Sequence, residues 1–351
     1  MEEMTSMERV KKTLKHEEPD RVPVLFLALT IGAREAGVEV REYATNGKAM
    51  ARGQLNFLRK FRVDGVVPMS DVASYADAFG CVSKFFDGKL ETPVIGQHVV
   101  KDWRDWEKIK VIDPTKDGRI PTMLEATKIL KDELGDSVPV VGLTPSPITW
   151  STWLQDMGGV MKDVLRHPDE LKRGLKVIAE SSLETGKAFV AAGADAVIMN
   201  VTRCSREILT PKQYEEFGKP YDLHVLNGLK KLAPLMLHVC GVYPMLDLLA
   251  DSYPVVAINW WDRGTATSLT EAKQRFGKKV TLVGGLDQTR ELLSGTPEQV
   301  EAQTKNAIEQ AAKGGGFILS GGCELSAINP PENIHAAVRA AEKYGRYPIA
   351  L

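Results

Sequence analysis

Short apolar runs recur along the chain, each followed by a longer stretch whose apolar positions return every three to four residues. Eight runs carry the pattern: Val22-Pro-Val-Leu-Phe-Leu27, Gly65-Val-Val-Pro-Met69, Val138-Pro-Val-Val-Gly-Leu143, Ala196-Val-Ile-Met199, Leu235-Met-Leu-His-Val239, Val255-Val-Ala-Ile-Asn259, Val280-Thr-Leu-Val283 and Phe317-Ile-Leu319. Each spans three to six residues and is rich in branched aliphatic side chains. Continuous runs of this length suit parallel strands buried on both faces.

The intervening stretches predict helices over Gly118 to Leu134, Pro168 to Ala192, Pro211 to Leu232, Pro297 to Lys313 and Pro331 to Tyr344. Pro beside a polar residue opens several of them, as at Thr210-Pro211 and Thr296-Pro297, and Gly193 and Gly314-Gly315-Gly316 close others. Eight strands alternating with helices point to one α/β domain over residues 1–351, a closed (β/α)8 TIM barrel, with an open doubly wound sheet as the alternative. The region from Asp71 to Asp136 exceeds one crossover helix. Within it, Phe85 to Lys89 and Val94 to Val100 read as a small hairpin inserted after strand two, over the barrel mouth.

Composition narrows the function classes. The 351 residues are 43% hydrophobic and 26% charged with a net charge of −1, which gives no basic field for nucleic acid or an anionic membrane surface. No run approaches a bilayer span, and the first residues lack the apolar core of a secretory leader. Four cysteines, Cys81, Cys204, Cys240 and Cys323, make no disulfide framework in so long a chain. A cytoplasmic setting is therefore expected, with thiols free to act as ligands or nucleophiles. The commonest closed oligomer is a two-fold pair, so a homodimer is the default.

The sharpest chemical signal ends the fifth run, at His238-Val239-Cys240-Gly241. Residues i and i+2 of a strand share a face, so His238 and Cys240 can converge. The eighth run ends in Ser320-Gly321-Gly322-Cys323 and delivers a second thiol to the same barrel edge, where this fold places its chemistry. One imidazole and two thiolates suit a tetrahedral Zn2+ with its fourth position open. Packing offers the competing account, since free cysteines are often buried as small hydrophobes. Gly314-Gly315-Gly316 precedes a strand, so it is no phosphate cradle. His16, His167 and His335 read as surface residues, His98 and His224 have no visible partner, and Cys81 and Cys204 read as structural.

The opening Ser6-Met-Glu-Arg-Val-Lys-Lys-Thr-Leu14 through Pro19-Asp-Arg-Val-Pro23, the segment Gly284-Gly-Leu-Asp287 and the closing Pro330-Pro-Glu-Asn-Ile334 resemble the uroporphyrinogen decarboxylase superfamily. That resemblance implies a (β/α)8 barrel. Its cobamide-dependent methyltransferase branch carries His-x-Cys and a distant Cys as zinc ligands, which fall on His238, Cys240 and Cys323. The decarboxylase branch resembles Ser70-Asp71-Val72 and Arg34-Glu-Ala-Gly37. Its second arginine falls at Val38, and where this chain has Cys323 it resembles a Gly-His-Gly segment. A substrate bearing eight carboxylates needs paired Arg forks, so losing an arginine and gaining thiols argues against it.

Other candidates sit at the remaining strand ends. Asn200 and Arg203 follow strand four, Trp260 and Trp261 follow strand six, and Asp287 follows strand seven; all are read as substrate-binding. The tryptophans suit an aromatic wall, or else barrel packing. Glu324 and Asp71 are read as catalytic, Asp71 as a proton donor or as the orienter of His238, with a helix cap over Val72 to Phe79 as the plain alternative. The expected activity is zinc-dependent transfer of a methyl group from a small methylated or methoxylated substrate to a cobamide. No Asp-x-His-x-x-Gly loop is present, so the cobamide must arrive on a separate corrinoid protein. Thiol methylation in the opposite direction, porphyrinogen decarboxylation and a purely structural zinc are the alternatives.

Overall fold

A computed structural model describes residues 3–87 and 90–350. Two short strands, β1 (Val82–Lys84) and β2 (Val94–Gln97), pair antiparallel. Six more run parallel in chain order: β3 (Val141–Pro145), β4 (Ala196–Asn200), β5 (Leu235–Val239), β6 (Ala257–Trp260), β7 (Thr281–Leu286) and β8 (Phe317–Gly321). Every residue of these six is buried, as continuous apolar runs require.

The first two apolar runs form no extended strands. They join through isolated parallel bridges, Val24 to Leu319 and Val66 to Val140. The backbone N–H of Leu319 donates to the carbonyl of Pro23 (2.9 Å), that of Val141 to Val66 (2.9 Å) and that of Asp64 to Val24 (2.7 Å). These bonds occupy both edges of the six-stranded sheet and close it into a (β/α)8 barrel, which excludes the open sheet. Pro23 and Pro68 each lack an N–H, a local reason for the ladder being thin there.

Four of the five expected helices form with at most two residues' difference at either end: Ile120–Leu134, Pro168–Ala191, Pro297–Ala311 and Pro331–Tyr344. The fifth is two helices, Pro211–Phe217 and Lys219–Leu229, broken at Gly218. Pro220 has no N–H to continue the first helix but fits the opening turn of the second. Among the described residues, no helix is long and apolar enough to cross a membrane.

The insertion after the second barrel segment holds helix Ala73–Asp77, the β1–β2 hairpin and the 3-10 turn Trp103–Glu107. The hairpin's first strand precedes the expected Phe85 to Lys89, of which Gly88 and Lys89 lie outside the described residues. Arg119 fastens the hairpin down. Its guanidinium donates to Ser83 Oγ (2.8 Å), pairs with Asp77 (2.6 Å) and lies 4.9 Å from the Phe85 ring centre, while Arg41 lies 4.6 Å from the same ring.

A buried ion network lies at the N-terminal end of the second barrel segment. Asp64, with no exposed side-chain surface, accepts from Arg9 (2.6 Å), Arg21 (2.8 Å), Ser6 (2.8 Å) and the Val24 amide (2.8 Å). Arg9 also pairs with Asp20 (2.6 Å). Each charge there has a partner, as burial demands.

Candidate metal centre

Register sets one layer of the barrel interior. Asn200 of β4 pairs with His238 of β5, and His238 with Asn259 of β6, so three polar side chains share a level. Asn259 donates both amide hydrogens to backbone carbonyls, Val283 and Gly321, each at 3.0 Å. Its Oδ1 is therefore left facing His238 Nδ1 at 2.6 Å. That contact requires the proton on Nδ1 and leaves the lone pair on Nε2.

His238 Nε2 lies 3.6 Å from Cys323 Sγ, and with the Cys240 thiol the three donor atoms fall within 4.8 Å of one another. Zinc–nitrogen and zinc–sulfur bonds of ~2.0 and ~2.3 Å, set at a tetrahedral angle, put N and S about 3.6 Å apart. The donor set thus fits zinc in chemistry and spacing. His238 is buried, whereas Cys240 and Cys323 are half-buried. It is the sole such group of ligating side chains among the described residues.

Two glycines fix the thiols. Gly241 sits at φ +109°, and a side chain there would meet Glu207 and Ser205 oxygens at 2.7 and 2.9 Å. Gly322 lies so close to Trp261 that a Cβ would come 2.4 Å from the tryptophan Cα. The electrostatics express crowding. Hydrogen bonding to Cys323 pushes the Cys240 thiol up to about 12, and the same contact holds Cys323 below its ordinary value. Burial would lower His238, but the bond and charge of Cys240 outweigh it and the imidazole is raised. A bound dication would favour the thiolate form of both.

The other candidates divide. Asn200 is 6% exposed and its Oδ1 has no hydrogen-bond partner among the described residues. Arg203 donates to Thr152 Oγ1 (3.0 Å) and has no carboxylate partner among the described residues. Burial lowers it while the Cys240 charge pulls the other way. Glu324 has no hydrogen bond or ion pair among the described residues, and burial pushes it up to about 7 against the attraction of His238. Trp261 lies against the Cys323 loop, its indole N–H unpaired among the described residues.

Three candidates are engaged by other partners. Trp260 is 1% exposed and donates to the Thr267 carbonyl; strand alternation turns it outward when Asn259 turns in. Asp287 spends its carboxylate on its own turn, accepting from the Thr289 and Arg290 amides (both 2.9 Å). Asp71 makes no hydrogen bond to His238. It accepts from both Arg119 Nη atoms (2.8 and 3.0 Å), from Ser70 Oγ (2.7 Å) and from the Ser74 amide (2.9 Å) ahead of helix Ala73–Asp77.

Sequence reasoning missed Asn259. The signal was there: a carboxamide closing a wholly apolar strand must find partners when buried. His98 and His224 do have partners, the Trp153 carbonyl and Glu180 (each 3.1 Å). Instead of lying free on the surface, His16 packs against Gly316, His167 stacks on Trp103, and His335 packs on Phe61. Cys81 and Cys204 are buried outside the ligand group.

The family model described as uroporphyrinogen decarboxylase (URO-D) matches residues 5–344. The chain belongs to that family. Its curated relatives in the family include the methylcobamide:CoM methyltransferase MtbA of Methanosarcina mazei, 29% identical over 98% of this chain and 99% of the relative. The methylcobamide:CoM methyltransferase MtaA of Methanosarcina barkeri is 26% identical over 98% and 99%. The uroporphyrinogen decarboxylase of Psychromonas ingrahamii is 25% identical over 93% and 94%. Among solved structures, a methyltransferase from Methanosarcina mazei superposes with a TM-score of 0.83 at 26% identity, covering 97% of this chain and 99% of its own. Both kinds of relative are enzymes, and within the URO-D family the likeness favours the cobamide-dependent branch.

Proposed function

We propose that this chain is a zinc-dependent methyltransferase that passes a methyl group from a cobamide on a separate corrinoid protein to a small thiol bearing an anionic group. The observation that carries this reading is the donor set itself: one imidazole with its Nε2 lone pair held outward by Asn259, between two half-buried thiols at the barrel mouth. His238, Cys240 and Cys323 would hold the zinc. Zinc bound there lowers the pKa of a coordinated thiol, making a nucleophile available at neutral pH.

The remaining roles belong to side chains with capacity to spare. Asn200 offers an unpaired carbonyl oxygen to a substrate donor, and Arg203 offers guanidinium hydrogens to an anionic tail. Glu324, half-buried and unpartnered among the described residues, takes the proton that the incoming thiol gives up.

Demethylation of a methoxylated substrate rested on Trp260 and Trp261 as an aromatic wall and on Asp71. Trp260 is enclosed in the core and Asp71 is bonded to Arg119, which leaves Trp261 alone of the three beside the ligands. The same bidentate pair speaks against porphyrinogen decarboxylation, since Asp71, in the segment that resembles the decarboxylase branch, is already engaged. Two half-buried thiols at the mouth also favour a working zinc over a structural one.

The test is turnover of methylcobalamin with a panel of thiols, coenzyme M among them, read by loss of the methylcobalamin spectrum and by mass detection of the thioether. Zinc-dependent product from anionic thiols is expected, falling by ~10³-fold or more in Cys240→Ser and Cys323→Ser when a first-order role in ordering the reactants is lost. Full activity in a rigorously metal-free preparation, or decarboxylation of a porphyrinogen, would overturn it.

A further inference from the structure

Cys240 and Arg203 stand on two loops that are bonded to each other. The Arg206 amide donates to the Tyr243 carbonyl (2.9 Å), the Met245 amide donates to the Cys204 carbonyl (3.0 Å), and Ser205 bridges to Pro244. Each loop runs into a helix, Pro211–Phe217 after β4 and Leu246–Ser252 after β5. Each of those elements supplies one tyrosine, Tyr214 from the first helix and Tyr253 from the residue that ends the second. Both hydroxyls donate to a single atom, Asp222 Oδ2, at 2.5 and 2.7 Å.

Asp222 comes from a third element, helix Lys219–Leu229, and is fully enclosed. It has no ion pair among the described residues. Burial pushes its carboxyl up to about 6 against the pull of the hydroxyls. The Cys204 thiol lies against the same group, and burial holds it well above its ordinary value. A lone carboxyl deep in an apolar layer is an expensive way to fill space, and what it gains is a shared acceptor that adds a side-chain tie between two adjoining β-strand–loop–helix units.

We infer that Asp222 is a positioning residue for the metal centre: through Tyr214 and Tyr253 it staples the β4 and β5 units together and so sets the spacing of Arg203 and Cys240. This rests on the zinc reading of His238, Cys240 and Cys323, and the experiment separates the two.

Wild type, Asp222→Asn, Tyr214→Phe, Tyr253→Phe and the control Tyr43→Phe are loaded with zinc against a chelator and with cobalt(II). Tyr43 is likewise buried, and its hydroxyl accepts from Gln54 far from these loops. The wild type is expected to bind one metal, with thiolate-to-cobalt absorption. Asp222→Asn should bind it ~10–100-fold more weakly, as loss of an outer-shell support does, with altered cobalt bands. The two staple Phe variants should each move the same way by less, and Tyr43→Phe should leave affinity and bands unchanged while melting earlier. Were Asp222→Asn not to fold, Tyr214→Phe and Tyr253→Phe carry the test. Staple variants that lose stability yet keep wild-type affinity and bands would overturn the positioning role. A wild type that binds no metal would overturn the zinc reading itself.

Discussion

Two regions of this barrel bury polar side chains, and they treat them in opposite ways. Around Asp64, at the start of the second barrel segment, each charge is answered: Asp64 accepts from two arginines, a serine and a backbone amide, and Arg9 reaches on to Asp20. At the carboxyl edge of the strands, the Asn200 carbonyl, the Trp261 indole and the Glu324 carboxylate have no partner among the described residues. A closed network contributes to holding the fold. An open one is a set of groups waiting for something the protein does not itself supply. Between these two regions, it is the satisfaction of the buried polar atoms that differs.

The comparison breaks most visibly at Asp64. Asp64→Ala leaves Arg21 buried without its carboxylate and Arg9 with Asp20 alone, and a loss of about 3–5 kcal/mol in unfolding free energy is expected by denaturant titration. Where the variant is still folded, its zinc affinity should match the wild type, because nothing in the Asp64 network touches the ligand layer.

Titration gives the next largest effect, with opposite signs. Asp222, and Asp262 after β6, are both raised by burial to about 6. As pH rises from about 4, the unfolded chain releases these protons while the folded one retains them, so their stability contribution is full at low pH and lost through about 6. Roughly 3 kcal/mol per group is at stake, from two pKa units. Asp20 behaves the other way: burial would raise it, but the Arg9 guanidinium holds it below its ordinary value. Its contribution is present above the unfolded pKa and lost as pH falls. Unfolding free energies at several pH values should show Asp222→Asn lacking its own share of the decline, with that of Asp262 retained, and Asp20→Asn lacking its share of the acid-side loss.

Asn259→Ala frees the imidazole to rotate and to exchange its proton between nitrogens. Zinc affinity should drop ~10–100-fold with Tm little lowered, measured by chelator competition. The smallest effect belongs to Asn200→Ala. It breaks no internal hydrogen bond, so stability should change by no more than about 0.5 kcal/mol, while KM for the thiol rises ~10-fold at similar kcat. A large fall in Tm for Asn200→Ala would mean that its oxygen is not held in reserve.

How far the sequence announced this arrangement follows from which forces are local. Apolar runs reported the barrel because burial on both faces leaves nothing else in a strand. The pair His238 and Cys240 was legible because strand alternation is fixed by backbone geometry, and Cys323 because it ends another run. The same alternation assigns Asn259 inward and Trp260 outward, yet the conspicuous indoles drew the reading to the wrong neighbour. Asp71 could not be resolved from its surroundings in the chain, since Arg119 approaches from the far side of the insertion. Nor did spacing show that segments 22–27 and 65–69 would hold the ring by single bridges.

Because Asn259 is itself pinned by two backbone carbonyls, the imidazole is aimed before any ion arrives. Demetallation should therefore leave a cooperative, native-like apoprotein that recovers on simple addition of metal, unlike small zinc modules whose structure collapses without it. Availability of the ion then governs the fraction of working molecules and leaves the survival of the chain untouched.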